Sequence, residues 1–235
     1  NVSASAVVIG TTAPSEALHV AGNLKVAGDD PRIKIDGDTD SHPGLELFEN
    51  GTRKWIVFND YTSDNLTFKT NSDTRMSIEQ GGNVGVGTTS PKTTLDVHHN
   101  PTSLANDTGG GEVVTFGAGP SGGSTTAGKL YYLDTDGQWE EADADAIASS
   151  GVLLAIALGT TPGTHGMLLR GFFDVHSYFI GTFNEGVPVY VSTTAGSISV
   201  SAPNGGGDVV RIIGFCTTTA NVIYFNPSNN TLELT

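Results

Sequence analysis

The chain has 235 residues, with 25 acidic against 11 basic side chains and a formal net charge of −14. A surface of that sign repels phosphate backbones and anionic bilayers, which argues against nucleic acid and membrane insertion. The sequence has no signal-peptide pattern and no apolar run near the ~18 residues of a spanning helix, and its single cysteine, Cys216, permits no intrachain disulfide.

Only 15 % of residues are charged and 31 are glycine. That mix suits many short strands joined by tight turns, because Gly, Asn and Asp supply the positive-φ positions such turns need. The first hundred residues are bracketed by two copies of one motif. Ile9-Gly10-Thr11-Thr12-Ala13-Pro14 leads to Leu18 and Val20, and Val86-Gly87-Thr88-Thr89-Ser90-Pro91 leads to Leu95 and Val97, at an offset of 77 (87 − 10). Each copy reads as strand, turn, strand: Gly admits an unusual φ, Pro ends the ladder, and Leu-x-Val restarts a two-residue alternation. Between the copies, residues 32–35, 45–48, 54–58, 66–68, 76–78 and 84–86 read as short strands, with Asn50-Gly51 as a hairpin turn. A third look-alike, Leu158-Gly159-Thr160-Thr161-Pro162, has Gly166 and Leu168 where Leu and Val would stand, so it is not a copy.

Residues 101–128 read as a Gly/Ser/Thr-rich linker, with one short run at 112–116 able to pair as an isolated strand. From residue 129 the predicted strands are more apolar: 130–133, 138–141, 151–158, 167–175, 187–192, 198–201, 209–215, 221–225 and 232–234. Residues 142–149 are the one expected helical turn, and Cys216, ending an apolar run, reads as core. The expectation is an all-β chain: a short-strand meander over 1–100, a linker over 101–128, and a β-sandwich or small barrel over 129–235.

The run Gly81-Gly82-Asn83-Val84-Gly85-Val86-Gly87-Thr88-Thr89-Ser90-Pro91, with Leu95-Asp96-Val97, resembles a signature of bacteriophage tail-fibre proteins. The segment from Leu45 to Trp55 is similar to what those proteins carry between copies, so the resemblance spans roughly residues 5–100 of the chain. More loosely, Tyr132–Trp139, Leu169–Gly171, Gly186–Ser192 and Val210–Gly214 are similar to layouts in tail-fibre modules and head-decoration proteins. The resemblance implies a non-enzymatic virion protein, assembled in the host cytoplasm as a homotrimeric tail fibre or head fibre. Its partners would be other virion proteins and a host surface glycan or protein. A capsid decoration protein and a bacterial surface adhesin are the alternatives. No self-cleaving chaperone is read at the C-terminus, and a first residue of Asn1 suits a piece of something longer. The strands themselves favour association: a meander this short closes no core alone and leaves open edges, which three copies around an axis, as the resemblance implies, would cover.

Candidate chemistry is sparse. Asp36, Asp38 and Asp40 are spaced like the start of a calcium loop, but Leu47 stands where the bidentate Glu belongs, so they read as a polar turn. Glu140, Glu141, Asp143 and Asp145 could supply the carboxylate pair of a glycosidase, yet adjacent acids on one stretch read as a solvated face. His98 and His99 point to opposite sides of any strand, and the other histidines are scattered. No catalytic, cofactor or metal residue is therefore expected. For surface binding the better lead is aromatic: Phe172, Phe173, Tyr178, Phe179 and Phe183 fall in one stretch and suit carbohydrate or protein contact.

Overall fold

The computed structural model describes residues 7–13, 15–98, 102 and 104–235. The chain is all-β, with 38 % of residues in strands and 5 % helical. It divides into two compact units, Asn1–Val97 and His98–Thr235.

In the first unit, β1 (Val7–Ile9) and β2 (Leu18–Val20) form a parallel pair. A six-stranded sheet follows in chain order: β3 (Gly44–Glu49), β4 (Thr52–Asp60), β5 (Asn65–Lys69), β6 (Thr74–Ile78), β7 (Val84–Val86) and β8 (Leu95–Val97). The first five are an antiparallel meander, as the alternating segments predict, and β7 and β8 are parallel. Asn50 and Gly51 turn β3 into β4, with φ of 47° and 73°, the two positive values a tight hairpin requires. Residues 32–35 are not a strand, contrary to the alternation. Ile33 and Ile35 are exposed, and residues 22–37 make no backbone hydrogen bond to another described residue. Alternation marks a strand only when a neighbour offers a ladder, and among the described residues none does.

The second unit is built on a ten-stranded sheet that curls into a half barrel. Its strands are β9 (Gly109–Val114), β10 (Leu130–Leu133), β11 (Trp139–Glu141), β12 (Leu154–Ala157), β13 (Met167–Asp174), β14 (Phe179–Ile180), β15 (Pro188–Val191), β16 (Ile198–Ser199), β18 (Ile212–Cys216) and β19 (Val222–Phe225). β17 (Val209–Val210) and β20 (Leu232–Glu233) pair separately. Two one-turn helices, α1 (Ile147–Ser150) and α2 (Pro162–His165), cap connections. The core gathers Leu130, Leu154, Ile156, Leu168, Phe173, Ile213, Cys216 and Ile223, and a smaller cluster surrounds Trp139 and Tyr131.

Two expectations are corrected here. The stretch 101–128 is not a free linker, because β9 runs along β13 from Met167 to Phe173. Its glycines are what allow this: a Cβ on Gly111 or Gly171 would overlap the opposing backbone, and both residues have φ near 150°. Glycine therefore signals close backbone approach here, not flexibility. The single expected helical turn is also displaced to α1, with α2 as a second.

β13 organises the unit. β9 takes one whole edge, while β12 pairs only with Met167 and Leu168 on the other edge and β19 only with Gly171–Asp174. Extended by register, Leu154 and Asn226 would both oppose Arg170, and neither pairs with it. The sheet forks at that point, one branch continuing through β10 and the other through β18.

Candidate interaction surfaces

The motif repeat is a structural repeat down to single hydrogen bonds. β1 and β2 pair Val7 with Leu18 and Ile9 with Val20; β7 and β8 pair Val84 with Leu95 and Val86 with Val97. Gly10 and Gly87 have φ of 76° and 75°. In each copy a threonine hydroxyl accepts from the N–H two residues on: Thr11 from Ala13 and Thr88 from Ser90, both at 3.2 Å. The next N–H but one is held by a side chain from the second strand, Ser15 by His19 Nδ1 at 3.2 Å and Lys92 by Asp96 Oδ2 at 3.0 Å. His19 and Asp96 thus do one job with different chemistry. Pro91 is buried, and Pro14 lies outside the described residues.

The six-stranded sheet has two unlike faces. Opposed residues share a face, so register places Leu45, Leu47, Trp55, Val57, Asn59, Leu66, Phe68, Met76, Ile78, Val84, Val86, Leu95 and Val97 on one side. Twelve of these thirteen are apolar, none is charged and none is buried. Leu47 is 57 %, Trp55 42 %, Leu95 62 % and Val97 65 % exposed. The opposite, more polar face holds Glu46, Asp60, Lys69, Thr67 and Ser77 around Ile56 and Phe58, and all the buried residues of these strands, Phe58 among them, lie there. The turn after β7 lies against that face, with Thr88 O close to Gly85. Ser77 Oγ is buried there with no hydrogen-bond partner among the described residues.

The aromatic stretch of the second unit is not one surface. Phe172 and Phe173 are neighbours on β13 and point to opposite sides. Phe173 is fully buried in the core, while Phe172 packs against Tyr224 at 5.3 Å between ring centroids, the planes tilted by 49°. Phe179 and Phe183 pack on each other at 5.8 Å and against the core. Tyr178 holds Lys129 Nζ over its ring at 5.4 Å. Phe173 is therefore withdrawn as a binding residue, since a side chain filling the interior cannot meet a ligand.

The carboxylates are dispersed or partnered. Glu141 is salt-bridged to Lys129, whose ammonium pKa the bond to Glu141 raises. Asp145 is pushed up chiefly by the neighbouring Asp143 charge. Asp36 pairs with Lys34 at 2.7 Å. His42 sits between the rings of Phe58 and Tyr61, 3.8 Å from Asp60. Asp60 itself is lowered, mainly by the hydrogen bond from the Thr62 hydroxyl. His99 lies outside the described residues. Among the described residues no three His, Cys, Asp or Glu side chains converge as metal ligands, and no helix is long and apolar enough to cross a membrane.

Two residues stand out that sequence reading passed over. Asp107, in the supposed linker, accepts from His176 N at 3.1 Å and Ser177 N at 2.9 Å, and ties the start of β9 to the end of β13. Arg211 is only 5 % exposed and donates to three carbonyls: Nη1 to Ser150 O and Val152 O, both at 2.6 Å, and Nε to Ser228 O at 2.8 Å. It makes no salt bridge with a described residue, and burial lowers its pKa. The visible signal was a lone cation between Val210 and Ile212 in an apolar run.

No protein-family model matches the chain, and no curated protein matches it at a significant level.

Proposed function

We propose that this chain is a non-enzymatic structural protein of a bacteriophage virion, a homotrimeric tail fibre or head fibre. The reading rests on the apolar face of the six-stranded sheet. Leu45, Leu47, Trp55, Leu66, Val86, Leu95 and Val97 are exposed side by side on it, a contiguous apolar patch of the kind that marks an interaction surface. Leaving that area in water is unfavourable by tens of calories per Å². Further copies of the same chain are the natural cover, because the face carries no charge to select a charged partner and two matching repeats bound the unit. The motif resemblance supplies the particle and the number three. The second unit, with its own core, would project from the virion and contact the host surface.

The test is the solution mass. Light scattering at micromolar concentration should give three times the 24.3 kDa of the chain. Acrylamide should then quench neither tryptophan, since Trp139 is buried in the core and Trp55 would be buried at the interface. A monomer with a quenchable Trp55 would overturn the reading. In particle images a trimer should project from tail or head. A close-packed layer over the capsid facets would leave the decoration protein in its place.

A further inference from the structure

The fork at β13 opens a cleft of about 360 Å³, whose lining mixes the polar side chains of Arg170, Arg211, Glu112, Asn226 and Asn229 with leucines of β12, β13 and the turn before β12. Of the second unit's three basic residues, Lys129, Arg170 and Arg211, two line this one cleft. Arg170 is exposed at the rim and paired with Glu112 at 3.4 Å. Arg211 is different. A buried cation needs a counter-charge, and its protein partners are all neutral carbonyls. Those carbonyls hold Nε and Nη1, which leaves Nη2 with no acceptor among the described residues and the planar guanidinium already fixed in orientation. The side-chain amides of Asn226 and Asn229 likewise have no described partner, and each offers both donor and acceptor.

We propose that this cleft is a binding site for a carboxylate-bearing sugar of monosaccharide size. The carboxylate lies against Arg211 Nη2, drawn in by Arg170, and the ring hydroxyls meet the two asparagine amides. A charge-assisted bond to a preoriented guanidinium is among the strongest available to a small polar ligand. The volume sits at the lower end of small-molecule pockets, which suits one ring. The site goes beyond the fibre reading, because the cleft lies wholly within the second unit and would hold its ligand in whatever assembly carries the chain.

Saturation-transfer difference NMR on the full chain tests it, with glucuronate as probe, glucose as the neutral control and acetate as the bare anion. Glucuronate should give a saturable signal with a dissociation constant of about 1 mM, and glucose none. Arg170→Gln, at the exposed rim, should weaken binding about threefold, and Arg211→Lys about tenfold. Arg211→Lys is used only if its circular dichroism matches the parent, and otherwise Asn229→Ala replaces it, with about threefold weakening expected. Equal signals from glucose and glucuronate, displacement of glucuronate by equimolar acetate, or no saturation by about 50 mM would each overturn the assignment. Because the experiment needs no particle and no trimer, its failure leaves the virion reading untouched, and the reverse also holds.

Discussion

At Asp174 a carboxyl group is 6 % exposed and its Oδ1 has no hydrogen-bond partner among the described residues. Burial raises its pKa above the ordinary 3.8. Folding therefore favours its protonated form, so Asp174 contributes most below pH 3.8, and that contribution is lost as pH rises through the raised value. At neutral pH the ionised side chain is a liability. Asp174→Asn should stabilise the chain by about 1 kcal/mol at pH 7, with the gain shrinking as pH approaches 4; urea unfolding at the two pH values checks both. Ser77 poses the uncharged version of the problem, a buried hydroxyl with no partner among the described residues. Ser77→Ala should be neutral or slightly stabilising by chemical denaturation, because it removes an unsatisfied group without opening a large cavity.

At the scale of elements, glycine has two separate uses. In the repeats, Gly10 and Gly87 sit at φ of 76° and 75°, where a side chain costs about 1 kcal/mol. Gly87→Ala should lower the melting temperature of the first unit by a few degrees and leave the second unchanged. On β13 the constraint is contact. A Cβ on Gly171 would overlap Gly110 O and lie 2.8 Å from Gly111 Cα, so the β9–β13 ladder must part to admit it. Gly171→Ala should cost about 3 kcal/mol, read as a lowered urea midpoint with an unchanged slope.

At the scale of the whole molecule, the two units solve the burial problem differently. The second closes a core of aliphatic and aromatic side chains within one chain. The first turns its apolar side outward. Leu47→Asp, on that side and 57 % exposed, should leave a monomer's fold little changed. In an assembled trimer it should bring a buried, unpaired charge to every interface and dissociate it. Sedimentation equilibrium of the variant against the parent distinguishes these. The melting transition of the first unit should likewise rise with protein concentration while that of the second stays fixed, since only association stabilises by mass action.

What the sequence determined by itself was local. Period-two alternation located most of the meander, because every residue on a pleated strand declares its face, and apolar runs bounded by turn residues located most strands of the second unit. The repeat was legible because Gly, Pro and Leu-x-Val are backbone requirements of one turn, and Cys216 was legible as core from its apolar run. The parallel pairing within each copy, the fork at β13 and the burial of Phe173 were decided by tertiary structure. They depend on which strand lies beside which, and alternation carries no record of a strand's neighbour. The same gap made residues 32–35 look like a strand with nothing to pair with, and made the glycines of β9 look like a linker. Arg211 shows the limit most sharply: a lone arginine in an apolar run is visible in the sequence, but only the fold gives it three carbonyls, no acidic partner among the described residues, and a cleft.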